Sequence, residues 1–162
     1  MNSRLKPRSK DLRKGRYSQA GQIYLVTSVT HDRQPVFRDV LLGRVVVHAM
    51  RHFVDEHKAE HLAYVVMPDH FHWLFALGEQ MDLSDLMRVL KGFSSKQVQR
   101  VRRQRGEAVP KGQPLWQEGF HDHALRRDED VRDVARYVVA NPLRAGLVER
   151  LGDYPLWDAV WV

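Results

Sequence analysis

Two histidines two residues apart, His70 and His72, stand in the run Met67-Pro68-Asp69-His70-Phe71-His72-Trp73-Leu74-Phe75. Side chains alternate along a strand, so both imidazoles share one face while Phe71, Trp73 and Phe75 share the other. A rigid strand aiming two imidazoles the same way suits a divalent cation. The plainer reading is two exposed histidines among the nine of the chain. A second pair with the same spacing, His121 and His123 around Asp122, competes for the role. Tyr137 and Asn141, one helical turn apart, bring a phenol and an amide to one side of a helix. By itself that arrangement reads as a rim tyrosine beside a C-terminal Asn cap.

These groups need elements to hold them. Gln22 to His31 is rich in β-branched and aromatic residues and reads as a first strand. Asp39 is suited to cap a helix reaching about His57, with Val40, Leu41, Val45, Ala49, Phe53 and Val54 as its apolar stripe. Leu62 to Met67 and His70 to Leu77 form an antiparallel hairpin around the Pro68-Asp69 break. Ser84 is the expected cap of a long helix to about Arg105, facing the core with Leu86, Leu90, Phe93, Val98 and Val101 and bending near Gly92. After a Gly/Pro loop, Leu115 to Arg126 reads as a fourth strand. Asp128 and Glu129 open a last helix with the stripe Val131, Val134, Ala135 and Val138, which Asn141-Pro142 ends. The tail from Leu143 holds a short helical piece and two tryptophans, Trp157 and Trp161, expected to cover an apolar edge.

The order β-α-β-β-α-β-α predicts an α+β fold: a ferredoxin-like split β-α-β with a four-stranded antiparallel sheet and an added C-terminal helix. Residues 21–162 read as one domain behind an N-terminal arm, residues 1–20. The 162 residues suffice for a real core, and the 43% hydrophobic content is ordinary for a soluble protein. Without cysteine, disulfides and thiolate zinc sites are excluded. No apolar run approaches a membrane span, and the basic N-terminus lacks the apolar centre of a secretory signal, so the expected location is the cytoplasm.

Charge placement points to a polyanion. Residues 1–16 hold seven Lys or Arg and one acid, so the net +6 resides there and the remainder is neutral. The arm offers Arg4, Lys6, Arg8, Arg13, Lys14 and Arg16 to a nucleic-acid backbone. Tyr17 next to them suits stacking on a base, or anchoring the arm to the body. The long helix repeats the bias: from Arg88 to Arg105 it carries Arg88, Lys91, Lys96, Arg100 and Arg103 among seven cations and no acid. Solvated faces usually mix signs, so this face is expected to meet phosphates.

Three blocks carry a family resemblance: Met67 to Trp73, Leu115-Trp116-Gln117-Glu118-Gly119-Phe120-His121-Asp122-His123-Ala124-Leu125-Arg126, and Arg136-Tyr137-Val138-Val139-Ala140-Asn141-Pro142-Leu143-Arg144-Ala145-Gly146-Leu147-Val148. In this order, over roughly residues 12 to 150, the chain resembles the REP-associated tyrosine transposases of the single-tyrosine HUH class, where U is a hydrophobic residue. The resemblance implies a metal-dependent single-strand DNA endonuclease and strand transferase acting on REP-type hairpins. Tyr137 would be the nucleophile, forming a 5′-phosphotyrosine intermediate. His70 and His72 would hold Mg or Mn with Asn141 as third ligand, although two imidazoles by themselves suit softer ions such as Zn. His123 matches a near-site position, and the partner is single-stranded or hairpin DNA, bound at the nucleoid by a monomer rather than a homodimer. A rival class is a catalytically silent module that binds nucleic-acid hairpins. A metallohydrolase using both histidine pairs lacks a clear carboxylate base. Tyr17, Tyr24, Tyr64 and Tyr154 are rival nucleophiles, with Tyr24 and Tyr64 reading as core.

Overall fold

The computed structural model describes residues 21–161. The arm residues Arg4, Lys6, Arg8, Arg13, Lys14, Arg16 and Tyr17 lie outside the described residues. Five strands and four α-helices follow in chain order: β1 Ile23–Val29, α1 Val40–Asp55, β2 Ala59–Met67, β3 His70–Leu77, α2 Leu83–Gln104, β4 His121–Ala124, α3 Val131–Val139, α4 Asn141–Arg144 and β5 Trp157–Ala159. The sheet order is β4-β1-β3-β2-β5, with every neighbouring pair antiparallel. The first four strands keep the ferredoxin-like order, and β5 is an addition at the β2 edge.

Strand alternation divides the sheet into two faces. Tyr24, Val26, Phe71, Trp73 and Phe75 point to one side, where they form a core with Leu42, Val46, Met50 and Phe53 of α1 and Leu86, Met87, Leu90 and Val98 of α2. Ala63, Val65, Met67 and Leu74 point to the other, under Ala135, Val138 and Val139 of α3. His70 and His72 are in phase with Leu74, so they share the face covered by α3.

Several sequence expectations shift. The fourth strand is short because Gly119 takes φ +80° and breaks the extended run. Upstream of it, Trp116 makes an isolated bridge to Thr30 and donates its indole N–H to buried Ser94. The cap of α2 is Asp82, whose carboxylate accepts from the Asp85 amide, rather than Ser84. Phe93 is 48% exposed instead of buried. It lies about 60° past Leu90 on the side away from Ser94, at ~100° per residue. Leu41 of α1 is likewise exposed, and Leu42 and Val46 take the inward positions, while Asp39 caps the helix as expected.

The start of α3 is capped by Asp130, which accepts from the Arg132 and Asp133 amides. Asn141-Pro142 does not terminate helical backbone. Ala140 stays helical and α4 begins at Asn141, with Pro142 in its first turn, where a missing N–H costs nothing. Of the tail tryptophans, Trp157 enters β5 and donates to the Leu151 carbonyl at 3.1 Å, while Trp161 remains exposed. Alternation alone did not reveal β5, because three residues are too few to display a period.

Candidate active site

The site is assembled on the β1–β3 ladder. In its register Thr27 faces His72 and Val29 faces His70. The His70 and His72 rings meet edge to face, with centroids 4.9 Å apart. Asp69, in the tight turn before β3, places Oδ1 2.6 Å from Nδ1 of His70. An ionised carboxylate only accepts, so it fixes the proton on Nδ1 and leaves the Nε2 lone pair of His70 bare. Burial raises the Asp69 pKa, but the hydrogen bond from His70 and the charges of His70 and Arg33 outweigh it and hold the carboxyl below its usual range.

His72 Nδ1 lies 2.6 Å from the Thr27 hydroxyl, which can accept its proton and leave Nε2 bare in the same way. Burial, aided by the charges of His70 and Arg144, pushes the His72 pKa down to about 4. The ring is therefore neutral at physiological pH, the form that ligates a metal. Among the described residues no hydrogen bond reaches Nε2 of either histidine, and no group of three or more His, Asp or Glu is placed to hold a metal. The donor chemistry of the pair fits a divalent cation, with the remaining positions left to amide, solvent or substrate oxygens.

Packing of α3 places the third sequence block on the same sheet face as the histidines. Val138 and Val139 are buried, so Tyr137 turns outward and is 62% exposed. The Arg144 guanidinium of α4 sits over its ring, 3.9 Å from the centroid. The charge of Arg144 also helps to lower the pKa of His72. Asn141 is half-buried and donates its amide to the Val138 carbonyl at 2.8 Å.

Among the described tyrosines Tyr137 is the one left exposed. Tyr24 is buried in the α1/α2 core, and Tyr64 packs against that core with its pKa raised by burial. The Tyr154 hydroxyl donates to the Val66 carbonyl at 2.5 Å, and burial pushes its pKa up to about 12. The second histidine pair shares the face but not the centre. His121 lies in the cross-strand row of Thr27 and His72, two strands from His72. His123 lies one row further on, beside Leu25, and its Nε2 contacts both Glu129 oxygens at 2.9 and 3.0 Å.

The basic helix lies elsewhere. α2 packs on the Phe71, Trp73 and Phe75 face, opposite the histidines. Its outer stripe carries exposed Arg88, Lys96, Arg100 and Arg103. Lys91 departs from the expected phosphate-facing set: its ammonium donates to the carbonyls of Gln117, at 2.7 Å, and Gly119. It ties α2 to the turn before β4.

Residues 18–141 match the family model described as Transposase IS200 like. The chain belongs to that family. Within the tyrosine transposases it is 28% identical over 138 residues to a REP-associated member of Haemophilus influenzae, covering 83% of this chain and 78% of the relative. It is 31% identical over 93 residues to the REP-associated tyrosine transposase of Escherichia coli, covering 57% of this chain and 50% of that protein. The solved structure of a REP-associated tyrosine transposase bound to a REP hairpin matches with TM-score 0.66 and 26% identity, over 88% of this chain and 79% of that one. This IS200-like transposase thus has three polar groups around its histidines and tyrosine that strand and helix patterns did not single out: Thr27, Asp69 and Arg144. Asp69 and Arg144 stood inside the sequence blocks without a role. Thr27 required the β1–β3 register, which one strand's sequence does not contain.

Proposed function

We propose that this transposase cleaves and rejoins single-stranded DNA next to REP-type hairpins through a covalent 5′-phosphotyrosine link to Tyr137. The observation that carries the reading is the exposed Tyr137 phenol on α3, packed over the sheet face that bears His70 and His72. The phenol oxygen forms a bond to phosphorus as the bond from phosphorus to the 3′ oxygen breaks. The bond pair leaves on that oxygen, which takes up a proton to become a 3′-OH, and the phenol proton passes to solvent. Reversal with a different 3′-OH rejoins the strand.

His70 and His72, with Asn141, are the residues that would hold Mg or Mn. When bound, such an ion polarises the scissile phosphate and stabilises charge growing on its oxygens. The protein's own part is to orient both imidazoles, through Asp69 and Thr27, and by burial to keep His72 neutral.

The hairpin-bound relative supports a hairpin partner for this chain, and our reading has a monomer engage it. The histidine face takes the single strand, and the outer face of α2, with Arg88, Lys96, Arg100 and Arg103, suits the backbone of a stem. The arm adds its own cations and Tyr17. The test is incubation with labelled hairpin DNA and Mn, followed by a denaturing gel for a protein–DNA adduct. Wild type should form it. Tyr137→Phe, and His70→Ala with His72→Ala, should fold and bind DNA yet form none. An adduct that persists in Tyr137→Phe would refute the assignment of the nucleophile. Hairpin binding without an adduct in wild type would favour the silent binding module.

A further inference from the structure

Three arginines around α3 and α4 have carboxylate partners, and Arg127 and Arg132 have none among the described residues. Arg136 pairs with Asp133 at 2.9 Å, Arg150 with Asp153 at 3.2 Å, and Arg126 approaches Asp128 and Glu129 at 3.7 Å. Arg144 is different. It is exposed, no carboxylate among the described residues pairs with it, and its guanidinium rests on the Tyr137 ring. A flexible exposed arginine with free choice of rotamer would otherwise sample solvent. Here the ring face holds it beside the phenol, 3.9 Å from the ring centroid.

We propose that Arg144 is a positioning residue for strand transfer: it holds the Tyr137 ring by its π face and offers its in-plane N–H groups to the non-bridging oxygens of the scissile phosphate. The proposal rests on Tyr137 being the nucleophile. The two tasks are compatible because they use different parts of one group. Stacking occupies the face of the guanidinium, whereas its five N–H donors lie in the plane and point outward. A phosphate reached by those donors is brought to the edge of the ring that carries the hydroxyl. As the phenol oxygen bonds to phosphorus and the 3′ oxygen departs, negative charge on the phosphoryl oxygens grows under a fixed cation. Arg144 neither gives nor takes a proton, since guanidinium stays charged throughout the usable pH range. After the step it still covers the ring, now bearing the DNA 5′ end, and keeps the link aligned for the reverse attack. A lysine can supply the charge but not the plane, so it would not fix the ring and the phosphate together.

The experiment uses the full chain, labelled hairpin DNA with a single-stranded flank, and Mn. It measures the single-turnover rate of adduct formation and, separately, hairpin affinity, for wild type, Arg144→Ala, Arg144→Gln and Arg144→Lys. Loss of one preorganised donor group at a phosphoryl centre predicts a rate lower by about 10²-fold in the Ala and Gln variants, with hairpin affinity little changed. The Lys variant should recover only a fraction. Millimolar guanidinium should restore part of the rate to Arg144→Ala and none to Tyr137→Phe, a response that a merely structural arginine would not give. Rates within about threefold of wild type in both Ala and Gln variants would overturn the proposal. So would a loss confined to affinity, or one that guanidinium leaves untouched. Absence of an adduct in wild type would instead refute the reading of Tyr137, which keeps the two failures apart.

Discussion

The hydroxyl of Thr27 lies 2.6 Å from Nδ1 of His72, its direct cross-strand partner in the β1–β3 ladder. A strand therefore supplies more than a platform for the histidine pair, because its neighbour fixes the ring's orientation. Thr27→Val keeps the β-branched shape and removes the hydrogen bond, so the sheet should tolerate it. The apparent affinity for Mn in adduct formation should fall by ~10–100-fold, the usual cost of losing a group that orients a metal ligand. Thr27→Ser should restore most of it. A Mn titration of Thr27→Val superimposable on wild type would show that His72 needs no such support.

Asp69 makes a sharper demand on His70. Its carboxylate can only accept, and it holds the proton on Nδ1. Asp69→Asn keeps the shape, but its NH2 group can donate to Nδ1 and move the ring proton to Nε2, where a metal would bind. The variant should fold, bind hairpin DNA and lose metal-dependent cleavage by more than tenfold, while Asp69→Glu retains a part. Equal activity of Asp69→Asn and wild type across a Mn series would sink the tautomer argument.

The buried His72 also makes an acid-side prediction for the metal-free chain. Its pKa falls from the ordinary 6.5 to about 4 in the fold. A depressed pKa means that the unfolded chain binds the proton more tightly. The contribution to stability is then fully present above pH ~6.5 and is lost as pH falls towards ~4. It should amount to on the order of 2 kcal/mol, since part of the ring still meets solvent. Urea unfolding in chelator at pH 7 and pH 4.5 should show a smaller acid loss for His72→Gln than for wild type. Nitrogen NMR of His72 should show a neutral ring at pH 5.5; a midpoint above pH 6 would contradict the burial argument.

What the sequence disclosed follows from range. His70 and His72 were legible as a candidate pair because they lie on one strand, and Tyr137 and Asn141 because helical backbone continues from α3 into α4, so that spacing dictates direction. The order of elements sufficed for the ferredoxin-like core, since hairpin and crossover leave few antiparallel arrangements. Thr27 and Arg144 were not legible, because their roles arise between elements: a register in one case, the α3–α4 junction in the other. Phe93 misled for a related reason. It is apolar and adjacent to the α2 stripe, but the stripe centres on Leu86, Leu90, Ser94 and Val98, and a buried serine held by Trp116 stands where an apolar residue was expected.

The arm's contribution is separable by salt. Residues 1–16 carry the whole +6 excess. Deleting residues 1–17 should weaken hairpin binding and flatten log affinity against log salt by up to ~0.9 for each phosphate that the arm neutralises in wild type. An unchanged slope would leave the arm with no part in DNA binding.

Two lysines on α2 should fail in different ways. Lys91 donates to the carbonyls of Gln117 and Gly119 and so anchors the turn that leads into β4. Lys96, further along the helix, is exposed on the outer stripe with Arg100 and Arg103. Lys91→Met keeps most of the stem's packing but leaves two carbonyls without their cation, a loss of roughly 1–3 kcal/mol. Its thermal midpoint should drop, while the salt slope of hairpin binding stays as in wild type. Lys96→Ala with Arg100→Ala should behave in the opposite sense. Neither residue holds another element in place, so the midpoint should stay within a degree or two, and the slope should fall by ~2 if each cation meets one phosphate. The comparison requires only a melt and a binding titration at several salt concentrations for each variant. A double variant with wild-type slope would remove the outer face of α2 from the DNA surface, and a Lys91→Met protein that melts like wild type would show that the β4 turn holds without its tether.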